Sequence, residues 1–377
     1  MSLSSSERER YQRHLSLSEI GVAGQERLKA ARVLIVGAGG LGSPAALYLA
    51  AAGCGTLGLL DYDKVELSNL QRQVLFDTGQ VGAPKTAAAA ARLRALNPEI
   101  TIREEPRSLT AANALEIVGE YDIVVDGSDN FPTRYLVKDA CVLLGKPDVF
   151  GSVYRFEGQV SVFDAAHGPC YRCLFPEPPP PDAVPSCAEG GVLGVLPGVI
   201  GTLQALEAIK ILLGAGEPLY GRLLLADGLS SRFHELTLRK DPSCVLCGPS
   251  ATQKSLIDYP AFCGVVEASG PTTGEITARA LSDALSGADP PMLVDVRTPQ
   301  EFELGHLPGA TSIPVANLVD RAHDLSRARE LVLYCSVGAR SARASRMLRD
   351  LGFGRVRHLY GGMAAWASEV DPSVGLP

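Results

Sequence analysis

The chain has no uninterrupted apolar run of about 18 residues, so its sequence offers no membrane-spanning segment. Its N-terminus, MSLSSSERER, lacks the hydrophobic stretch of a secretory signal. The nine cysteines therefore read as cytosolic thiols, metal ligands or catalysts rather than a disulfide framework, and a cytoplasmic location is expected. Excess positive charge is also missing. A net charge of −7 argues against a general nucleic-acid or anionic-membrane binder. Charged residues reach only 20% and hydrophobic ones 46%, which excludes global disorder and allows a large buried core. No internal repeat links one part of the 377 residues to another, and the length suits about two domains.

What is present begins with Val33-Leu34-Ile35-Val36-Gly37-Ala38-Gly39-Gly40-Leu41-Gly42. Four apolar residues run into glycines spaced Gly37-x-Gly39-x-x-Gly42, and an Ala/Leu-rich segment follows. This pattern fits a strand turning sharply into a helix, with the backbone free to approach a phosphate at the helix N-terminus. Pro44 suits a first helical turn. Asp61 closes the next strand-like run, Leu57 to Leu60, where an acidic side chain suits ribose hydroxyls. Further strands are expected at Val33–Val36, Ile100–Arg103 and Ile123–Asp126, with a helix from Pro84 to Leu96 stopped by Asn97-Pro98. The rhythm predicts an α/β fold with a parallel sheet and helices on both faces.

After about Gly151 the pattern changes. Gln159–Phe163 and Arg222–Ala226 read as antiparallel strands, separated by the proline-rich stretch from Pro176 and by a buried helix within Gly190 to Leu213. A smaller α/β pattern starts at Ile276, with strands at Met292–Val296 and Leu331–Cys335 and a helix at Ser341–Leu351. The expected division is residues 1–249, a linker at 250–275 able to fold against its neighbours, and 276–377. At the other end, residues 7–30 read as helix, with Arg10, Tyr11, Arg13 and His14 either on a solvated face or waiting for a role.

Four sets of residues carry chemistry. Cys170-x-x-Cys173 and Cys244-x-x-Cys247 offer four soft thiolates, which suit one closed, structural tetrahedral Zn²⁺ per chain. Around the glycine turn, Asn69, Arg72, Lys85 and Asp129-Asn130 fall at strand ends that converge in a parallel sheet. Two cations would neutralise a triphosphate and Asp129 would hold Mg²⁺, a ring that favours ATP over a dinucleotide. Cys187, before Ala188-Glu189-Gly190-Gly191, is either an inert thiol or one that reaches a reactive intermediate. Cys335 ends an apolar strand and opens Cys335-Ser336-Val337-Gly338-Ala339-Arg340, which leads into a helix. Backbone N–H groups and the helix dipole there favour a thiolate or a persulfide. Arg340, Arg343 and Arg346 are either solvated or prolong that positive field toward an anionic sulfur donor.

RYQRHL, VLIVGAGGLGS, LLDYDKVELSNLQRQ, GAPK, DGSDN, both CxxC pairs and SCAEGGVLGVLPGVIG occur in that order between Arg10 and Gly248. This series resembles the ubiquitin-activating-like adenylyltransferases of the MoeB and ThiF type. LVDVRTPQEFELGHLPGA, YCSVGARS and LYGGMAAW resemble a rhodanese domain, and the fusion resembles the MoeZ type. The resemblance implies a Rossmann-like adenylation domain with a partly antiparallel sheet extension, followed by an α/β rhodanese domain. It places nucleotide contacts on Gly40, Asp61, Ser68, Asn69, Arg72, Lys85, Asp129 and Asn130. It assigns Arg13 to the ATP site of the other subunit of a homodimer, Cys187 to a thioester position, and Cys335 to the rhodanese nucleophile. The implied reaction is ATP-dependent adenylation of the C-terminal glycine of a ubiquitin-like sulfur carrier, then sulfur transfer from a Cys335 persulfide. A cysteine desulfurase or thiosulfate would supply the sulfur. Three other classes stay open at this point: an NAD-dependent reductase, a tRNA-modifying dehydratase of the same adenylating fold, and a binding module.

Overall fold

The structure, a computed structural model, describes residues 2–179, 191–264 and 274–374. These divide into two compact units, 2–179 with 191–264, and 274–374. Cys187 and part of the proline-rich stretch lie outside the described residues.

The first unit is built on an eight-stranded sheet in the order β3-β2-β1-β4-β5-β6-β7-β8. Its strands are β1 (Arg32–Val36), β2 (Thr56–Leu60), β3 (Thr101–Glu105), β4 (Ile123–Asp126), β5 (Asp148–Tyr154), β6 (Glu157–Phe163), β7 (Arg222–Asp227) and β8 (Arg232–Thr237). Pairing is parallel from β3 through to β5 and antiparallel from β5 to β8. The parallel strands β1 and β4 are buried along almost their whole length, which is why they read as continuous apolar runs rather than alternating ones.

One face of the sheet is covered by α3 (Gly21–Ala30), α4 (Gly42–Ala52), α5 (Lys85–Leu96) and α9 (Val195–Leu213). The other face carries α6 (Ala114–Gly119), α7 (Phe131–Leu144) and α8 (Tyr171–Leu174). Among the described residues, α9 is long and apolar enough to cross a membrane. It is a core helix here: it packs on α4 and β5, and its buried Gln204 donates to the carbonyls of Asp126 and Val149.

Residues 7–30 form three helices rather than one: α1 (Ser5–Arg10), α2 (Gln12–Leu15) and α3. Tyr11 breaks the first from the second because its ring is buried, with its hydroxyl accepting from Asn97 Nδ2 at 2.9 Å. The stretch 250–264, read from the sequence as the start of a linker, belongs to the first unit. Its short helix α10 (Tyr259–Phe262) packs against α7, and Tyr259 is only 2% exposed.

The second unit is a five-stranded parallel sheet in the order β11-β10-β12-β13-β9. Its strands are β9 (Glu275–Ile276), β10 (Met292–Asp295), β11 (Thr311–Ser312), β12 (Leu331–Tyr334) and β13 (Val356–Leu359). Flanking helices are α11 (Ala278–Leu285), α12 (Pro299–Leu304), α13 (Ala339–Asp350) and α14 (Gly362–Glu369). The central strand β12 is fully buried and ends immediately before Cys335.

Candidate active sites

In the first unit the strand order reverses between β1 and β4, so the loops after these two strands part to opposite faces and leave a crevice at their C-terminal ends. The glycine turn forms one wall. Gly37 has φ +87°, and a Cβ on Gly42 would lie 1.9 Å from the Gly37 carbonyl oxygen, so neither position admits a side chain. The opposite wall is the loop after β4. Gly127 donates to the Val36 carbonyl at 2.8 Å, and the Ser128 peptide is held from both sides. Ser128 N donates to Asp126 Oδ1 at 2.9 Å, and Arg134 Nη2 donates to the Ser128 carbonyl at 2.8 Å. Behind the loop, buried Lys138 pairs with Asp126 and, at 3.1 Å, with Asp148.

These walls enclose a cavity of about 180 Å³ lined by Gly40, Asp61, Arg72, Lys85, Asp129 and Asn130, six of the sequence-predicted positions. Asp61 is fixed by the backbone, Oδ2 accepting from Ala38 N at 2.9 Å and Oδ1 from Asp63 N at 2.8 Å. Burial pushes its carboxyl above the ordinary range, with Lys85 pulling the other way. Lys85 is 5% exposed and its Nζ lies 2.8 Å from Asp63 Oδ2. Arg72 is half-buried and donates to the Ser68 carbonyl at 3.1 Å. Asn130 caps α7 by accepting from Thr133 N at 2.9 Å, while Asp129 is exposed at the rim.

Ser68 and Asn69 do not line the cavity; they form the short turn that aims Arg72. Arg13 is exposed on α2 and is also absent from the lining of its own chain's cavity. Of its neighbours, His14 is engaged inside the fold, with Nδ1 3.0 Å from Gln25 Oε1. Sequence reasoning missed Gln73 and Asp63. Gln73 lines the cavity with a buried Oε1 that has no hydrogen-bond partner among the described residues, and its only signal was adjacency to Arg72.

The four knuckle cysteines come together at the end of this unit, their sulfurs all within 4.8 Å of one another. Cys170–Cys173, Cys170–Cys244 and Cys173–Cys247 sulfur separations are 3.8, 3.6 and 3.4 Å. Four bonds of about 2.3 Å in a tetrahedron put sulfurs about 3.8 Å apart, so the donor set fits a metal ion of zinc's size and softness.

In the second unit Cys335 is fully buried where β12 ends. Its Sγ accepts from Gly338 N at 3.1 Å and from the Ser341 hydroxyl at 3.6 Å, at the N-terminus of α13. Gly338 has φ +100°, and this left-handed turn aims its N–H at the sulfur. Arg340, expected either in solvent or as part of a positive field toward an anionic sulfur donor, is instead paired within the fold. Its guanidinium forms a two-pronged ion pair with Glu301, at 2.8 and 2.6 Å, and also donates to Ser336 Oγ at 3.0 Å. Burial works to raise the Glu301 carboxyl, but hydrogen bonds from Arg340 and Thr298 hold it down at about 2.

That depressed value ties the loop's order to pH. The ion pair stabilises the unit fully above the unfolded carboxyl value near 4.5, and the contribution is lost as pH falls from there through about 2. Glu301→Gln should therefore lower second-unit stability by roughly 2–3 kcal/mol at neutral pH. It should also flatten the acid limb of the stability profile, measured by denaturant unfolding between pH 2 and 7. An acid limb identical to wild type would show that the pair contributes nothing.

The ThiF family model matches residues 11–246, and the rhodanese-like domain model matches residues 277–369. The probable adenylyltransferase/sulfurtransferase MoeZ of Mycobacterium tuberculosis is 48% identical over 382 residues, covering 99% of this chain and 96% of that one. The sulfur carrier protein adenylyltransferase of Thermus thermophilus is 58% identical over 264 residues, covering 69% of this chain and 97% of its own. Among solved structures, E. coli MccB with ATP matches with TM-score 0.56 and 26% identity over 63% of this chain and 74% of that chain. The chain belongs to the ThiF family and carries a rhodanese-like domain behind its ThiF unit.

Proposed function

We propose that the first unit uses ATP to activate the C-terminal glycine carboxylate of a small ubiquitin-like sulfur carrier, and that the second unit delivers sulfur to it. The observation that carries this reading is the pairing of Lys85 and Arg72 across one cavity from a side-chain-free glycine turn. A hydride-transferring dinucleotide site has no use for both cations. A dehydratase of the same fold has no use for a cysteine cradled at a strand end, and that cradle also weighs against a mere binding module.

A carboxylate is a poor electrophile. Its oxygen attacks the α-phosphorus of ATP, pyrophosphate leaves, and an acyl-adenylate remains. Arg72 and Lys85 offset the charge that develops; Asp129 would hold a Mg²⁺ ion, which would supply further positive charge to the phosphates. The terminal sulfur of a Cys335 persulfide then attacks the acyl carbon and displaces AMP, giving an acyl disulfide. A thiol, Cys187 or another reductant, attacks the Cys335 sulfur of that disulfide; the thiocarboxylate leaves and the oxidised product is a new disulfide. A desulfurase or thiosulfate supplies the sulfane sulfur. The four knuckle cysteines hold a structural Zn²⁺, and the cytoplasm, where thiols stay reduced, suits every step.

Carrier-dependent exchange of labelled pyrophosphate into ATP tests the first half. No exchange with any Gly-Gly-ended carrier would refute it. The homodimer, with Arg13 completing the neighbouring site, makes a second prediction. Arg13→Ala and Arg72→Ala chains, each inactive alone, should recover about a quarter of wild-type exchange when assembled together, because half the dimers are mixed and each holds one intact site. Failure to complement would keep Arg13 out of the partner's site.

A further inference from the structure

Gln73 lines the nucleotide cavity but has no part in the chemistry above. A short turn places it: its backbone N–H donates to the Asn69 carbonyl at 3.0 Å, and its own carbonyl accepts from Phe76 N at 3.1 Å. Both backbone groups are thus spent on the fold. The side chain is not. Only 5% of the residue is exposed, and its buried Oε1 has no donor among the described residues. Buried amides in a folded chain are nearly always satisfied, and a carbonyl sealed away without a donor gives up its water for nothing in return. The other end of the amide lies against the glycine turn, where a Cβ on Gly39 would stand 3.7 Å from Gln73 Nε2. Three charged groups that share the cavity are engaged elsewhere. Asp61 accepts from Ala38 N and Asp63 N, Lys85 pairs with Asp63, and Arg72 donates to the Ser68 carbonyl. None of them holds the Gln73 amide.

We propose that Gln73 binds the nucleotide, its side-chain amide donating from Nε2 to a phosphate oxygen held against the glycine turn. The inference rests on the ATP reading of this cavity and adds a contact to it. Donor and acceptor chemistry selects the ligand atom. Phosphate oxygens only accept, so they pair with the NH₂ end of an amide and not with its carbonyl. The turn at Gly39 leads into the N-terminus of α4, where a phosphate is favoured, and Nε2 lies beside it. Gln73 also follows Arg72 directly, so a neutral amide supplies a donor without setting a second positive charge next to the guanidinium. A hydrogen bond to a charged group is worth about 10- to 100-fold in affinity. Because the fold makes no use of the amide, that affinity is separable from stability.

The test titrates the full-length wild type, Gln73→Met and Gln73→Glu with ATP and Mg²⁺ in the absence of any carrier, and follows denaturant unfolding of each. Gln73→Met keeps the length of the side chain and removes the amide. Gln73→Glu keeps an acceptor, removes both donors and adds a negative charge. The expected result is ATP binding about 10- to 100-fold weaker in Gln73→Met, with an unfolding midpoint no lower than that of wild type, and weaker binding still in Gln73→Glu. In pyrophosphate exchange the ATP KM of Gln73→Met rises by the same factor while the carrier KM stays where it was. Unchanged ATP affinity in Gln73→Met would overturn the proposal. So would Gln73→Glu binding ATP as tightly as wild type, since an acceptor would then be the working group. A raised carrier KM with unchanged ATP affinity would move Gln73 to the carrier's tail, and a lower unfolding midpoint alongside the lost affinity would make it a support of the cavity wall; each overturns the proposal. Should Gln73→Glu not fold, Gln73→Met decides alone. A wild-type chain that binds no ATP fails the nucleotide reading itself, a result visible before any variant is made.

Discussion

A Cys335→Ala chain is expected to adenylate its carrier at the wild-type rate and to transfer sulfur at least about 10³-fold more slowly, since no other group in the loop forms the S–S bond. The separation follows from architecture. Adenylation chemistry is confined to the first unit's cavity, and Cys335 belongs to a unit with its own sheet and its own buried clusters. The variant carries a structural cost of its own. Removing Sγ leaves the Gly338 N–H without its acceptor, about 1–3 kcal/mol for a buried donor, while the Ser341 hydroxyl keeps the Gly338 carbonyl at 3.0 Å. Cys335→Ser is therefore the sharper comparison, because its oxygen still accepts from that N–H but holds no sulfane sulfur. Burial does not keep the site from working. A persulfide carries the reacting atom one bond, about 2 Å, beyond the Sγ seen here. If either variant still delivers sulfur from a loaded donor at the wild-type rate, the cysteine cradle is not the route.

How much of this was legible in the sequence depends on whether the signal was local. The glycine turn, the β1 and β4 runs and both CxxC pairs are short-range patterns, and each fixes its own backbone or donor set. Their convergence in one crevice also follows, since parallel strands deliver their C-terminal loops to the same end of the sheet. Strand β5 gave no such signal: it begins at a buried aspartate, Asp148, whose partner Lys138 comes from α7, and it contains Gly151, packed against Gln204. Strand β9 is two residues long and exists only through pairing with β13. Arg340 was misread for a related reason. Periodicity put it on a positive helix face, but Glu301, 39 residues away, takes its charge. The stretch 250–264 read as a linker able to fold against its neighbours, but its anchor gave no signal, because Asp139 lies more than 100 positions upstream. The sequence carried the chemistry well and the buried ion pairs poorly, since a charge in a sequence does not say whether water or another side chain will meet it.

The two cavity cations should fail differently when removed. Arg72 is half-buried and held by one backbone carbonyl, so Arg72→Ala removes a phosphate-directed charge and little else. Carrier-dependent pyrophosphate exchange should fall about 10²- to 10³-fold, the usual cost of one preorganised charge-stabilising group. Lys85 stands beside two carboxylates, paired with Asp63 and acting on Asp61. Lys85→Ala leaves two acids in the cavity lining without the cation that pairs with Asp63 and acts on Asp61. The loss should therefore reach ATP binding as well as turnover, raising KM while lowering kcat by about 10²-fold or more. The pH dependence separates the cases further. Asp61 already titrates above the ordinary carboxylate range because it is buried, and loss of Lys85 removes a charge that was lowering it. Acidification would then neutralise Asp61 and relieve repulsion of the phosphates, so the ATP KM of Lys85→Ala should improve as pH falls, while that of Arg72→Ala should not. The ATP KM of pyrophosphate exchange, followed for both variants over a series of decreasing pH values, measures this. Equal pH profiles for the two variants would mean that Lys85 does not screen the buried carboxylate from the nucleotide, and its place in the site would have to be rebuilt from the Asp63 pair alone.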